Sequence, residues 1–404
     1  MKIIWDISNK CNLNCKHCGA ADYFDNTHLL TYTELENIAK NICKIANYVV
    51  LLGGEPFLIE YLYEIIKIFE KSNVKVDFIT NGQVDVEYIQ DVLKLTNIET
   101  IYVSIDGLEE ANDLVRGKGS WKKAIIFLDY LLQTKPSNRK VGVATVLNKK
   151  NASSIKEFIK FFERKGVNDI SFSLLELTGN ARKNRNILEL SDREIINTLK
   201  DIAIISKNSI INIMMDTGST SLNKYLTAYT GYKFFGTGVN DCGALFENAY
   251  CDMNGLYFPC RRYQGKGIDL KKVTSIEDEY YLFDDFLEKR LQGNQSEKQC
   301  PLGKSCDKFA TVVNNICMNE KMPRLKIKKP TCMYQKENRK YIFYFDNNEY
   351  VEYSDIGWKI YKLIKKGTDS NEIISIIGCE KNDFINFIEH EINHNRLEVE
   401  LIEK

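Results

Sequence analysis

Three cysteines lie within eight residues near the start of the chain, in the run Cys11-Asn-Leu-Asn-Cys15-Lys-His17-Cys18, a C-x3-C-x2-C spacing. Cysteines so close in sequence, in a chain of intracellular character, point to metal ligation or redox chemistry rather than to disulfides. Three thiolates on one loop can hold three irons of a cubane [4Fe–4S] cluster. A closed cluster usually has four cysteines, so the fourth iron is left open to another ligand. A structural zinc site is the competing reading, but zinc takes four protein ligands. His17 could supply the fourth, yet it sits too close between Cys15 and Cys18 for easy tetrahedral geometry.

Seven further cysteines, Cys242, Cys251, Cys260, Cys300, Cys306, Cys317 and Cys332, crowd into fewer than a hundred residues. Packing alone explains so many poorly, and metal ligation explains them well. Zinc would serve, but the neighbouring first motif favours iron–sulfur. Cys43 and Cys379 stand alone. Cys43 keeps helical spacing with Leu35 and Ala39 and reads as core filling, as does Cys379.

The elements that must position these residues follow from the hydrophobic pattern. The first half alternates short β-rich runs with amphipathic helices. Strands are predicted at Ile3–Ile7, Tyr48–Leu52, Val74–Thr80, Thr100–Ile105, Val141–Leu147 and Asp169–Leu175. Helices are predicted at Thr33–Ile45, with Thr33 and Glu36 as a capping box, and near Glu60–Lys71, Val86–Leu95, Trp121–Leu132, Ser153–Lys165 and Ser191–Ser206. Six β/α units in a row imply a parallel sheet, as a partial barrel or doubly wound. Polar and glycine residues gather where these strands end: Gly53-Gly54-Glu55-Pro56, Thr80-Asn81-Gly82, Ser104-Ile105-Asp106-Gly107 and Glu176 to Asn180. Strand C-termini are the functional face of such a sheet.

Ser209–Phe235 has no clear pattern, and Lys321–Pro330 reads as an exposed connection. The last portion opens with an aromatic hairpin, Tyr341–Phe345 and Tyr350–Tyr353 around a turn at Asp346–Asn348. Helical patterns follow on Ile356, Ile360, Leu363 and Ile364, on Ile373, Ile374 and Ile377, and on Phe384, Ile388 and Ile392, then a strand at Leu397–Leu401. This is a small winged-helix-like α+β module.

Composition bounds the partners. The 404 residues suffice for two to four domains, and 44% hydrophobic with 27% charged residues is an ordinary globular balance. Lys plus Arg and Asp plus Glu are 55 each. A zero net charge argues against nucleic-acid and membrane-surface partners. Met1–Lys10 has no signal-peptide pattern, and no run approaches the ~18 apolar residues of a membrane span. The expected location is cytoplasmic.

The Cys11/Cys15/Cys18 loop and the ordered strand-end motifs resemble the radical SAM superfamily. The resemblance implies a partial (β/α)6 barrel and a [4Fe–4S] cluster whose open iron chelates S-adenosyl-L-methionine (SAM). Reductive cleavage of SAM then yields a 5′-deoxyadenosyl radical that takes a hydrogen atom from substrate. By the same resemblance, His17 takes the position of an aromatic residue over the adenine. Gly53, Gly54, Glu55 and Pro56 match the motif that binds the SAM amino group. Asn81 belongs to the same run of strand-end motifs, and Ser104 and Asp106 resemble the polar pair near the SAM carboxylate and ribose. Arg116-Gly117 fits a pattern of peptide-modifying relatives, its role open between function and simple solvation.

The second cysteine group resembles the SPASM domain, which carries two auxiliary [4Fe–4S] clusters. The implied ligand sets are Cys242, Cys251, Cys260 and Cys317 for one cluster, and Cys300, Cys306 and Cys332 for the other, with an open iron or Glu297. The later part departs from the family: Glu297 and Ala310 stand where it has cysteines. The C-terminal module resembles the PqqD-like element that takes up a leader peptide as an added strand; a packing or dimerisation domain is the plainer reading.

The implied division is a radical SAM barrel over 1–208, a bridging and SPASM-like region over 209–335, and a peptide-recognition module over 336–404. The implied activity is maturation of a ribosomally made precursor peptide by a thioether or carbon–carbon crosslink, with a flavodoxin or ferredoxin as reductant. Sulfatase-type formylglycine formation and peptide epimerisation are alternatives. Arg261 and Arg262 after Cys260, where sulfatase-maturing relatives have Asp, count against the former. A non-catalytic iron–sulfur relay is the alternative of another class.

Overall fold

The structure, a computed structural model, describes residues 1–23, 29–216, 220–232, 244–245, 247–284, 286–288, 322–328, 331–336, 339–344 and 349–400. The chain forms two compact units: Met1–Glu194 with Ser209–Asp216 and Asn240–Ser305, and Ile195–Asn208 with Thr217–Val239 and Cys306–Lys404.

The first unit is built on one sheet. Its strands are β1 (Lys2–Ser8), β2 (Tyr48–Gly53), β3 (Lys75–Thr80), β4 (Ile98–Ser104), β5 (Lys140–Leu147), β6 (Asp169–Leu174), β7 (Asn212–Asp216), β8 (Asn248–Cys251), β9 (Leu256–Phe258) and β10 (Ile268–Asp269). Their order is β10-β9-β8-β1-β2-β3-β4-β5-β6-β7. Strands β1 to β7 run parallel in chain order, β8 is parallel to β1, and β9 and β10 return antiparallel. All six predicted strands are present. The sheet also takes in β7, from the segment without a clear pattern, and β8 to β10, from the cysteine-rich stretch.

Helices α1 (Tyr32–Ile45), α2 (Leu62–Lys71), α3 (Gln90–Leu93), α4 (Glu109–Arg116), α5 (Ser120–Thr134), α6 (Ile155–Lys165), α7 (Gly179–Lys183) and α8 (Arg185–Leu188) connect the strands, and α9 (Asp192–Ser206) follows. Helix α1 starts one residue earlier than predicted, because Thr31 and Glu34 form its capping box rather than Thr33 and Glu36. Both pairs satisfy the same spacing, and the earlier one leaves Leu35, Ile38, Ala39 and Ile42 on the buried face. Cys43 is only half-buried on this helix.

Alternation along the strands separates two environments. Ile3, Trp5 and Ile7 are fully buried, and Trp5 meets Phe69 of α2 edge-on at 6.4 Å. Their face is the helix layer. The opposite face, with Ile4, Val50, Leu52, Ile79, Tyr102 and Ser171, is only half-buried. The inner side of the sheet is therefore its less covered face among the described residues.

The second unit contains α10 (Thr220–Thr230). It also holds a two-stranded pairing of β11 (Arg324–Ile327) with β15 (Leu397–Glu400), and an antiparallel sheet of β12 (Thr331–Lys336), β13 (Arg339–Tyr344) and β14 (Glu349–Tyr353). Helices α11 (Asp355–Lys365), α12 (Ser370–Ile377) and α13 (Lys381–Asn393) complete it. The predicted hairpin, three helices and last strand are all found; its turn, with Asp346–Asn348, and Leu401 lie outside the described residues. The connection read into Lys321–Pro330 needs correction: Arg324–Ile327 is a strand with Leu325 buried against its partner. A buried polar network ties this unit together. Glu391 accepts hydrogen bonds from Tyr353 (2.6 Å) and Tyr361 (2.5 Å) and lies 3.5 Å from Arg396, which also bonds Glu349 at 2.6 Å. No helix among the described residues is long and apolar enough to cross a membrane.

Candidate active site

The cysteine loop springs from the end of β1, and three other segments hold its backbone. From the end of β2, Gly54 N–H donates to Ser8 O (2.6 Å) and Glu55 N–H to Lys10 O (2.8 Å). Gly53 has φ +123°, and a Cβ there would lie 2.6 Å from Ser8 O; one on Gly54 would run into the Lys10 carbonyl. The glycine pair thus clears room for the chain's own approach to Cys11. From α4, the Val115 carbonyl accepts Lys16 N–H at 2.8 Å. From α7, Asn180 N–H donates to Cys18 O (2.9 Å), its side chain to Asn14 Oδ1 (2.6 Å) and Cys15 O (3.1 Å), and Asn184 Nδ2 to Lys16 O (3.2 Å). Gly179, at φ +51°, lies so close to the Cys18 and Gly19 carbonyls that no Cβ fits.

The three thiols act on one another electrostatically. Burial pushes Cys15 up to about 12 and also raises Cys11 and Cys18, while Arg116 opposes the rise in each. Cys11 Sγ accepts Leu13 N–H at 3.5 Å and Asn81 Nδ2 at 3.7 Å. No group of three or more His, Cys, Asp or Glu among the described residues is gathered to hold a single metal ion.

Beside the loop lies a buried charge pair. Arg116 Nε is 2.7 Å from Asp106 Oδ2, an ion contact rather than an aligned hydrogen bond. Asp106 is fully buried; Oδ1 accepts Val146 N–H (2.7 Å), and its own N–H donates to Asn112 Oδ1 (2.9 Å). His17 Nε2 sits 3.4 Å from Asp106 Oδ2. Burial holds the imidazole down to about 4, so it is neutral at pH 7. His17 Nδ1 is buried without a hydrogen-bond partner among the described residues. Arg116 is therefore part of the interior rather than a solvated surface charge.

Glu55 ties two strand ends together. It is fully buried; Oε1 accepts Thr80 Oγ1–H (2.7 Å) and Phe57 N–H (3.1 Å), and Oε2 accepts Asn81 N–H (2.7 Å). Burial raises its carboxyl to about 7. Pro56 opens the 3₁₀ turn Pro56–Leu58, and Ser104 is buried at the end of β4.

Of the second cysteine group, Cys242, Cys300, Cys306 and Cys317 lie outside the described residues, with Glu297 and Ala310, and Cys332 is described only as backbone of β12. Cys251 is fully buried on β8, in register with Trp5, and Cys260 is half-buried beyond β9. Sequence reasoning passed over Asp6, Tyr250 and Asn184, and reached Asn180 only as the end of the polar run after β6. An acid inside the apolar run Lys2–Ser8 was the one visible signal.

These residues fit an iron–sulfur cluster and its ligand. The thiols are mutually coupled, two N–H groups point at Cys11 Sγ, a buried guanidinium favours negative charge nearby, and His17 Nδ1 lacks a partner. Thiols held high in pKa release their protons on binding metal.

Residues 5–162 match the family model described as the radical SAM superfamily. That segment is a radical SAM domain, the α/β domain of a superfamily of SAM-dependent iron–sulfur enzymes. Among individual proteins, the chain is 29% identical to the pre-heme d1 synthase of Dinoroseobacter shibae over 187 residues, 45% of each chain. It is 28% identical to the mycofactocin maturase MftC of Mycolicibacterium smegmatis over 166 residues, 41% of this chain and 42% of MftC. Each match spans less than half of the relative's length. Among solved structures, SuiB of Streptococcus suis bound to the precursor peptide SuiA superposes with a TM-score of 0.57 at 18% identity, covering 80% of this chain and 73% of SuiB. At that identity the likeness is one of fold.

Proposed function

We propose that the chain is a cytoplasmic radical SAM maturase that removes hydrogen from a ribosomally made precursor peptide to install a thioether or carbon–carbon crosslink. The observation that carries this reading is the extent of the likeness to SuiB: it covers 80% of the chain, well beyond the matched segment 5–162. In this reading the division is a barrel over 1–208, an auxiliary-cluster region over 209–335 and a leader-binding module over 336–404.

Cys11, Cys15 and Cys18 would hold the SAM-binding [4Fe–4S] cluster; bound together, the reduced cluster and SAM supply a hydrogen-abstracting carbon radical. Around it, Glu55 and Asn81 fix the neighbouring strand ends, and Ser104, Asp106 and His17 would lie beside SAM. Arg116 keeps a buried positive charge beside the thiolates. Cys242, Cys251, Cys260 and Cys317, and Cys300, Cys306 and Cys332, would hold two auxiliary clusters, and a flavodoxin or ferredoxin would deliver electrons. The edge of the β12–β14 sheet would take up the leader as an added strand. Arg261 and Arg262, following Cys260, weigh against sulfatase maturation.

The test is anaerobic. The chain is reconstituted with iron and sulfide, reduced, and mixed with SAM and with cysteine- and aromatic-rich peptides encoded beside its gene. The expected products are 5′-deoxyadenosine and a peptide lighter by two hydrogens, both lost in the Cys11→Ala/Cys15→Ala/Cys18→Ala variant. A cluster-replete, reduced protein that makes neither would instead be an electron relay or scaffold.

A further inference from the structure

Asp6 lies five residues before Cys11. Because Ile3, Trp5 and Ile7 face the helices, Asp6 is on the inner face, yet it is 1% exposed. Oδ2 accepts Tyr250 Oη–H at 2.5 Å and lies 3.2 Å from an Arg261 Nη. Oδ1 is buried and has no hydrogen-bond partner among the described residues. A buried carboxylate oxygen without a donor is costly. Two other acids on this inner face are paired: Asp77 accepts from Tyr48 (2.8 Å) and Asp169 from Asn212 (3.0 Å). Asp6 is paired at Oδ2 but keeps Oδ1 without a donor among the described residues.

Arg261 supplies the complementary group. Its guanidinium lies 5.6 Å from the Tyr250 ring centroid, and half of its side-chain surface is open. Next to it, Arg262 bonds Glu176 at 2.6 Å. Glu176 follows β6 and Arg262 follows β9, strands near opposite ends of the sheet order, so this ion pair ties the segment that carries Arg261 to the far side of the sheet. A buried acceptor and an open multiple donor thus meet near the end of β1.

The ligand that matches offers an N–H and a C=O side by side. A phosphate or free carboxylate would face the Asp6 charge, and a simple amine would leave Arg261 unused. A peptide backbone group presents both. We propose that Asp6 and Arg261 are positioning residues that clamp the backbone of the peptide substrate, Asp6 Oδ1 accepting an N–H and Arg261 donating to a neighbouring carbonyl. This rests on the maturase reading above and names the part of the site that would orient its substrate.

The test uses the full reconstituted chain and, as probe, whichever of the cysteine- and aromatic-rich candidate peptides the wild-type chain turns over. In Asp6→Asn and Arg261→Ala, KM for the peptide should rise roughly tenfold or more, with much less change in kcat, and Arg261→Lys should recover part of the loss. If Asp6→Asn fails to fold, Arg261→Ala, altered at a half-open side chain, decides. Wild-type turnover with an unchanged KM in the variants overturns the clamp and leaves the maturase reading standing. A wild-type chain that turns over no peptide overturns both.

Discussion

Arg116 Nε stands 2.7 Å from Asp106 Oδ2, with both side chains closed to solvent. Removing one partner of a buried pair strands the other charge, at a cost of about 3–5 kcal/mol. Asp106→Asn is therefore expected to lower the urea midpoint of the chain strongly. A double variant with apolar residues of similar volume at 106 and 116 should lose less than the sum of the two single changes. Additive losses would show that the two charges do not depend on each other.

Gly54 packs against the Lys10 carbonyl with no space for a side chain. Gly54→Ala must displace the strand-to-loop junction that carries Cys11. The expected outcome is reduced iron loading on reconstitution, measured as iron and sulfide per chain, with the far-ultraviolet spectrum retained. Full loading would mean that the junction yields without disturbing the loop.

His17 and Glu55 give the metal-free chain opposite responses to pH. His17 is held down to about 4, so the stability of its neutral, buried form is complete above the unfolded value near 6.5 and is lost as pH falls towards 4. Between pH 7.5 and 5 that loss is about 2 kcal/mol. Glu55 is raised to about 7, so its protonated form favours folding below about 4.5, and that contribution is lost as pH rises through 7. The two responses have opposite signs. Relative to wild type, His17→Gln should gain stability on acidification from pH 7.5 to 5 and Glu55→Gln should lose it, as read from urea midpoints at the two pH values.

In the second unit, Glu391 is the common acceptor for Tyr353 and Tyr361 and a neighbour of Arg396. Glu391→Ala leaves two buried hydroxyls and a guanidinium short of an acceptor, at about 3–5 kcal/mol. Tyr361→Phe removes one donor to Glu391 and an acceptor for Tyr344 and, leaving no charge stranded, should cost less, about 1–2 kcal/mol. Thermal unfolding followed at the unit's tyrosines should show that order, and equal effects would place the weight of the network elsewhere.

How far the molecule could be read from its sequence depended on whether a feature was local. The strands of the first half show themselves because apolar runs such as Val49–Leu52 and Val141–Val146 are bounded by turn residues. Helix α4 was missed. Its eight residues bury Asn112 and Arg116 beside Val115, so the face that packs is largely polar and has no hydrophobic period. Joining β8 to β1 was equally hidden, because pairing Ile3 with Ala249 is a tertiary choice that neither segment announces. Arg324–Ile327, a short basic alternation near prolines, looks like a linker until Leu397–Glu400 is laid against it. At the site, residue types and spacing marked Cys11, Cys15, Cys18 and Glu55. Local pattern could not reveal that Asn180 and Asn184, about 165 positions away, hold the cysteine loop by its carbonyls.

Strand β1 takes its two neighbours from distant parts of the chain: Lys2 lies beside Tyr48 on one side and Asn248 on the other. During synthesis, β2 emerges soon after β1, but β8 follows some 200 residues later, roughly 10–40 s at ordinary ribosomal rates. Throughout that interval one edge of the strand that leads into Cys11 has no β8 to pair with and is open to mispairing. Iron loading before residue 251 is made would act on a cysteine loop whose parent strand is half assembled, so the order of translation and metallation bears on how much of the protein matures correctly.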